Sequence, residues 1–140
     1  MDSVSSSRRS EIMSRIRSSD TRPEMQVRRL LHGLGYRYAL HRRNLPGVPD
    51  LVFPSRRKII FVQGCFWHQH KRCADGRVPK SRVPYWKPKL LRNVERDRRN
   101  ISKLRRDRWS VMLVWECDIA NSDSLQKRLV RFLGEPRIHN

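Results

Sequence analysis

The segment Gly64-Cys65-Phe66-Trp67-His68-Gln69-His70-Lys71-Arg72-Cys73 constrains this chain more than any other. It places two thiols and two imidazoles within ten residues, directly behind a mostly apolar run from Ile59 to Gln63. Cys117 follows another such run, Val111 to Trp115. Zinc in a structural role takes four tetrahedral ligands of these types. Cys65, Cys73, Cys117 and one histidine meet that demand, and Cys117 would tie the loop to a sheet. Spacing leaves His68 and His70 as rival fourth ligands. The plain alternative is three unrelated cysteines acting as small buried apolar residues. That suits Cys117, whereas Cys65 and Cys73 sit in a polar loop.

The runs around this loop predict an α/β chain. Thr21 to Glu24 has capping-box spacing, Pro23 suits a first turn, and Gly33 and Gly35 can end a helix whose apolar positions are Val27, Leu30, Leu31 and Leu34. Tyr36, Tyr38 and Leu40 alternate with polar residues as on a half-buried strand. Asn44-Leu45-Pro46-Gly47 reads as a turn into a short strand at Asp50 to Phe53. Ser55 to Lys58 reads as a hairpin turn into the strand Ile59 to Gln63. Helical periodicity returns from Val83 to Asp107, with Pro88 in the first turn or marking a break. A strand from Trp109 to Glu116 and a helix from Ser124 to Leu133 complete the order. Helix, three strands, helix, strand, helix implies a mixed sheet flanked by helices. A weaker helical pattern runs through Ile12, Met13 and Ile16. No boundary divides the chain beyond a flexible, basic segment at 1–20 preceding a single domain at 21–140.

The partner follows from charge. With 32 Lys and Arg against 13 Asp and Glu, the chain carries +19. Such self-repulsion is relieved by a polyanion, and nucleic acid is the natural one. No basic amphipathic helix stands apart to suggest a membrane surface. Three cysteines, an odd number, and the lack of a signal-peptide or membrane-span pattern point to a cytoplasmic protein with reduced thiols.

Asp50 follows Pro49 at the start of an apolar strand, a position from which nuclease carboxylates hold Mg²⁺ against a phosphate. Pro-Asp alone is more often a turn. The acid-x-Lys pair of restriction-type sites is absent from the following strand, which reads Phe61-Val62-Gln63-Gly64. His68 is the best candidate to accept a proton from water. Asp97 could orient it, or could be an ion-pair partner within Glu95-Arg96-Asp97-Arg98-Arg99.

Together, Pro46-Gly47-Val48-Pro49-Asp50, Gly64-Cys65-Phe66-Trp67-His68, Asn93-Val94-Glu95-Arg96-Asp97-Arg98-Arg99 and Val114-Trp115-Glu116-Cys117 closely resemble the very short patch repair endonucleases. These bacterial enzymes nick DNA at T:G mismatches. The resemblance implies a restriction-endonuclease-like fold and Mg²⁺-dependent hydrolysis on the 5′ side of the mismatched thymine, a mismatch that arises when 5-methylcytosine deaminates. It implies that Asp50 and the Val62 backbone carbonyl hold Mg²⁺, and that His68 is the general base paired with Asp97. Cys65, His70, Cys73 and Cys117 would then hold Zn²⁺. Glu24 matches an acid of the family's N-terminal helix that acts through water on the metal. Where the family often has a second histidine, this chain has Gln63, which leaves a single-histidine mechanism.

The same resemblance implies that Phe66, Trp67 and Trp86 wedge into the base stack from the major groove, with Met13 and Ile16 entering opposite. Core packing is the ordinary alternative for each. Arg15, Lys89, Arg92 and Arg96 are reasonable phosphate contacts. The implied partner is double-stranded DNA, the implied state a monomer, and the functional companion a cytosine-5 methyltransferase. A zinc-stabilised DNA-binding module without catalysis, or a restriction-type nuclease of broader specificity, are the competing readings.

Overall fold

A computed structural model describes residues 20–65 and 83–136, with the backbone alone for 83–86. The first helix, α1 (Arg22–Leu34), begins at Thr21, whose Oγ1 accepts the Glu24 N–H at 3.3 Å. It ends at Gly35, whose φ of +102° is a left-handed conformation that costs glycine little. Gly33 stays inside the helix. The capping box expected from Thr21 and Glu24 forms only by half. The Glu24 carboxylate accepts from the Asp20 N–H at 3.1 Å, and the side chain is buried.

Three strands follow, β1 (Ala39–Leu40), β2 (Leu51–Phe53) and β3 (Lys58–Gln63), each antiparallel to the next. A short 3-10 turn, Pro54–Arg56, reverses the chain before β3. Strand β1 is shorter than the alternation from Tyr36 predicts. Tyr36 and Tyr38 instead pack edge-on against Phe53, with centroids 6.4 and 5.8 Å away. The Tyr38 hydroxyl donates to the Arg28 carbonyl at 2.8 Å, so their alternation reflects side-chain packing without a ladder.

After β3 the chain crosses through α2 (Val83–Arg106) to β4 (Ser110–Trp115), which lies parallel to β3 from Lys58↔Ser110 to Gln63↔Trp115. A 3-10 turn at Glu116–Ala120 leads to α3 (Ser122–Leu133). The sheet order is β1-β2-β3-β4, a mixed sheet as the pattern of elements implies. Pro88 lies inside α2, beyond its first turn, and the helix continues through it. An interior proline leaves the carbonyl four residues earlier without its helical bond and crowds it with the ring. Here that carbonyl belongs to Pro84 in the opening turn, so the disruption stays at the helix start. Among the described residues no helix is long and apolar enough to cross a membrane.

Strand alternation builds two cores. Leu51, Phe53, Ile60 and Val114 face Val27 and Leu31 of α1 and Leu125, Leu129 and Leu133 of α3. Val52, Ile59 and Phe61 face the other way, onto Leu104 and Trp109. Each fully buried aliphatic side chain contributes about 1.5–3 kcal/mol. The sheet is thereby fixed between α1 and α3 on one side and α2 on the other.

The loop from β1 to β2 is pressed against this second core. At Gly47, φ is +79°, and a Cβ would lie 3.2 Å from Asn100 Cβ, Asn100 Nδ2 and Phe61 Cε1. Asn100 stands one helical turn beyond Asp97. Gly47→Ala should therefore cost about 1–3 kcal/mol, from left-handed strain and crowding together. Thermal denaturation should show a Tm several degrees lower, and an unchanged Tm would mean the loop is not held there.

Candidate active site

Glu24 from the first turn of α1 and Asp50 from the residue before β2 meet at the end of the sheet. They are 1% and 7% exposed, respectively. The Asp50 Oδ2 accepts the Val62 N–H at 2.7 Å, which draws the end of β3 into the site. The Glu24 carboxyl lies beside that of Asp50, close enough to hydrogen-bond when a proton is shared. Burial first, then the charge of Glu24 and that hydrogen bond, push the Asp50 carboxyl up to about 8, and the Val62 N–H only partly opposes them. Two such acids can coexist in one of two ways. Either they keep a proton between them, or a hard cation replaces it.

Glu24 is held by more than its helix. Its Oε2 accepts from His41 Nε2 at 2.8 Å and from the Arg28 guanidinium at 3.4 Å, while Arg28 also reaches Asp20 at 2.8 Å. Ligand-type atoms of Asp20, Glu24 and His41 all lie within 4.8 Å of one another. His41, Arg28 and Asp20 carried no signal in the sequence. The capping spacing gave Glu24 a sufficient local explanation, and His41 stands seventeen residues away in a different element.

The remaining expected residues divide by position. In an extended strand a residue's N–H and C=O point to the same side. The Val62 carbonyl therefore faces the edge where Asp50 sits. Gln63 is buried and, by alternation from Phe61, faces the α2 side of the sheet. Asp97 and Lys89 are half-buried on α2. Cys65 and Cys117 each lie two residues past the paired positions Gln63 and Trp115, so both leave the same end of adjacent parallel strands. Cys65 is buried and Cys117 exposed. Thiolates so placed fit the donor chemistry of a zinc site. Trp86 lies on α2, its side chain outside the described residues. Met13, Arg15, Ile16, Phe66, Trp67, His68, His70 and Cys73 also lie outside them.

Known proteins are similar to this chain. The pattern of the family described as DNA mismatch endonuclease Vsr matches residues 1–75. A type II nicking enzyme of Xanthomonas oryzae pv. oryzae is 49% identical over 132 residues, covering 94% of this chain and 96% of the relative. The DNA mismatch endonuclease Vsr of Escherichia coli is 42% identical over 117 residues, covering 84% of this chain and 74% of that protein. A nicking enzyme of Neisseria meningitidis is 37% identical over 134 residues, covering 96% and 95%. With an α/β fold, a mixed sheet and relatives matched over 74–96% of their length, the chain belongs to the DNA mismatch endonuclease Vsr family.

Proposed function

We propose that this protein is a DNA endonuclease that nicks the thymine strand of T:G mismatches, hydrolysing the phosphodiester 5′ of the thymine with Mg²⁺. Two of these relatives are named for nicking and one for DNA mismatches, and both properties are transferred here. The observation that carries the reading is the buried pair Glu24 and Asp50, with the Val62 carbonyl facing the same edge. Two hard carboxylates with one forced to keep a proton are a donor set suited to a divalent cation.

Asp50, the Val62 carbonyl and Glu24 are the groups that would hold Mg²⁺. When bound, the ion supplies positive charge to the scissile phosphate. His68 takes the proton of the attacking water, and Asp97 orients its imidazole. Neutral imidazole titrates close to physiological pH, which suits it to that task. Cys65, His70, Cys73 and Cys117 hold a structural Zn²⁺ that fixes the loop carrying His68. The common exit of Cys65 and Cys117 from the parallel pair supports that arrangement.

Recognition follows from the weakness of the mismatch. A T:G wobble unstacks at lower cost than a matched pair, by an amount within the few kcal/mol that unstacking requires. Phe66, Trp67 and Trp86 act as wedges from one groove, with Met13 and Ile16 from the other. Arg15 and Lys89 contact phosphates. The exposed cations of α2, among them Lys87, Arg92, Arg96 and Arg99, extend that electrostatic footprint. Cutting one strand requires one copy of the site, so the protein acts as a monomer. Its substrates arise where a cytosine-5 methyltransferase has acted.

A strand-resolved assay with Mg²⁺ on duplexes differing only in T:G versus C:G tests this reading. Nicking should be confined to the T strand of the mismatch, and Asp50→Ala should lower it about 10³-fold or more with folding intact. Tight DNA binding without nicking in any flanking context would sink the proposal and favour a binding module.

The Asp50 carboxyl also gives a stability test. Its folded value of about 8 lies above the ordinary 3.8. The stability contributed by the protonated group is therefore complete below about pH 4 and lost as pH rises through about 8. In Mg²⁺-free buffer the Tm should fall from about pH 5 to 9, more steeply than in Asp50→Asn, and Mg²⁺ should restore it. Equal pH slopes in the two proteins would show that Asp50 does not keep its proton.

A further inference from the structure

His41 is joined to both buried acids at once. Its side chain reaches Glu24 Oε2 at 2.8 Å, and its backbone N–H donates to the Asp50 carbonyl at 3.3 Å. It follows β1 directly, with φ at +45°, a left-handed conformation unusual for a residue with a side chain. Backbone of this kind persists where the surroundings impose it, and such positions gather at functional sites. Here the turn lets one residue hold Asp50 by its main chain and Glu24 by its ring.

The hydrogen bonds to Glu24 fix how its carboxylate is rotated. Oε1 takes the Asp20 N–H at 3.1 Å, and Oε2 takes His41 at 2.8 Å with the longer Arg28 contact at 3.4 Å. A carboxylate only accepts, so the imidazole nitrogen at Oε2 carries the hydrogen. Arg28 is committed more closely to Asp20, at 2.8 Å. The short bond on Oε2 is thus the imidazole's. With these donors on both oxygens, the Glu24 carboxyl still lies within hydrogen-bond reach of Asp50.

We propose that His41 is a positioning residue for the reaction, holding the Glu24 carboxylate in the rotation that completes the cation-binding pair with Asp50. The inference rests on the reading of Glu24 and Asp50 as the Mg²⁺ centre. His41 touches neither DNA nor the scissile phosphate in this role, and its effect passes through Glu24. Partners that orient metal-binding groups typically cost about 10–100-fold in metal affinity or activity when removed.

The test compares His41→Gly with His41→Gln. Glycine adopts positive φ freely, so His41→Gly removes the ring without adding backbone strain. Glutamine returns an amide N–H donor to the reach of Glu24. The expected result for His41→Gly is a kcat for nicking about 10–100-fold lower, KM for DNA unchanged, and Mg²⁺ affinity by calorimetry lowered by a similar factor. His41→Gln should recover most of both. Wild-type kcat and Mg²⁺ affinity in His41→Gly would overturn the inference, as would a loss that glutamine does not repair. If His41→Gly fails to fold, His41→Met, which fills space without donating, takes its place beside His41→Gln. Asp50→Ala is measured alongside. If it nicks like wild type, the Mg²⁺ reading itself falls; if it is inactive while His41→Gly is fully active, only the role of His41 falls.

Discussion

The Glu24 and Asp50 carboxyls share a site almost closed to water, and the neighbouring structure is organised around that contact. A buried carboxylate is costly unless paired or hydrogen-bonded. Glu24 therefore gathers the Asp20 N–H, His41 and Arg28, while Asp50 takes the Val62 N–H. These bonds join the start of α1, the turn after β1, the loop before β2 and the end of β3. A fully apolar end to the sheet would pack with less polar compensation. Burial and the neighbouring Glu24 charge instead raise the Asp50 carboxyl, a strain that the proposed Mg²⁺ would relieve by replacing the proton.

The topology concentrates chemistry at one end of the sheet. Because β3 and β4 run parallel, their C-terminal ends coincide, and Val62, Gln63, Cys65 and Cys117 come together there. Open sheets with parallel strands commonly place their sites outside such ends. Helix α2 covers the opposite face from α1 and lines its outer surface with cations. Gly47 presses the Asp50 loop onto it at Asn100, one turn from Asp97. Acid, strand end and basic helix are thus tied by packing that tolerates little added volume.

Much of this was legible in the sequence, for reasons that differ by element. Helices α1 and α3 bury residues at the helical period, and β2, β3 and β4 are short apolar runs, β2 buried at every position, so period and run length located them. Tyr36 and Tyr38 alternated like a strand because both rings pack edge-on against Phe53, although only Ala39 and Leu40 pair. Pro88 looked like a boundary because the rule for proline concerns a lost hydrogen bond, and here that bond belongs to the helix start. Asp50 was distinguishable from an ordinary turn only through the family's motif. Glu24 reads as a capping residue by spacing and as a site acid only through the family's motif, while His41 had no spacing to reveal it, since its partnership is made by tertiary folding alone.

Bound as proposed, Mg²⁺ must displace a proton from Asp50. Calorimetric titration of Mg²⁺ into the protein at pH 7, in two buffers of different protonation enthalpy, counts the protons released. About one proton per ion is expected, falling to none in Asp50→Asn. Mg²⁺ binding with no proton release, or with the same release in Asp50→Asn, would contradict the assignment of this pair as the catalytic metal centre.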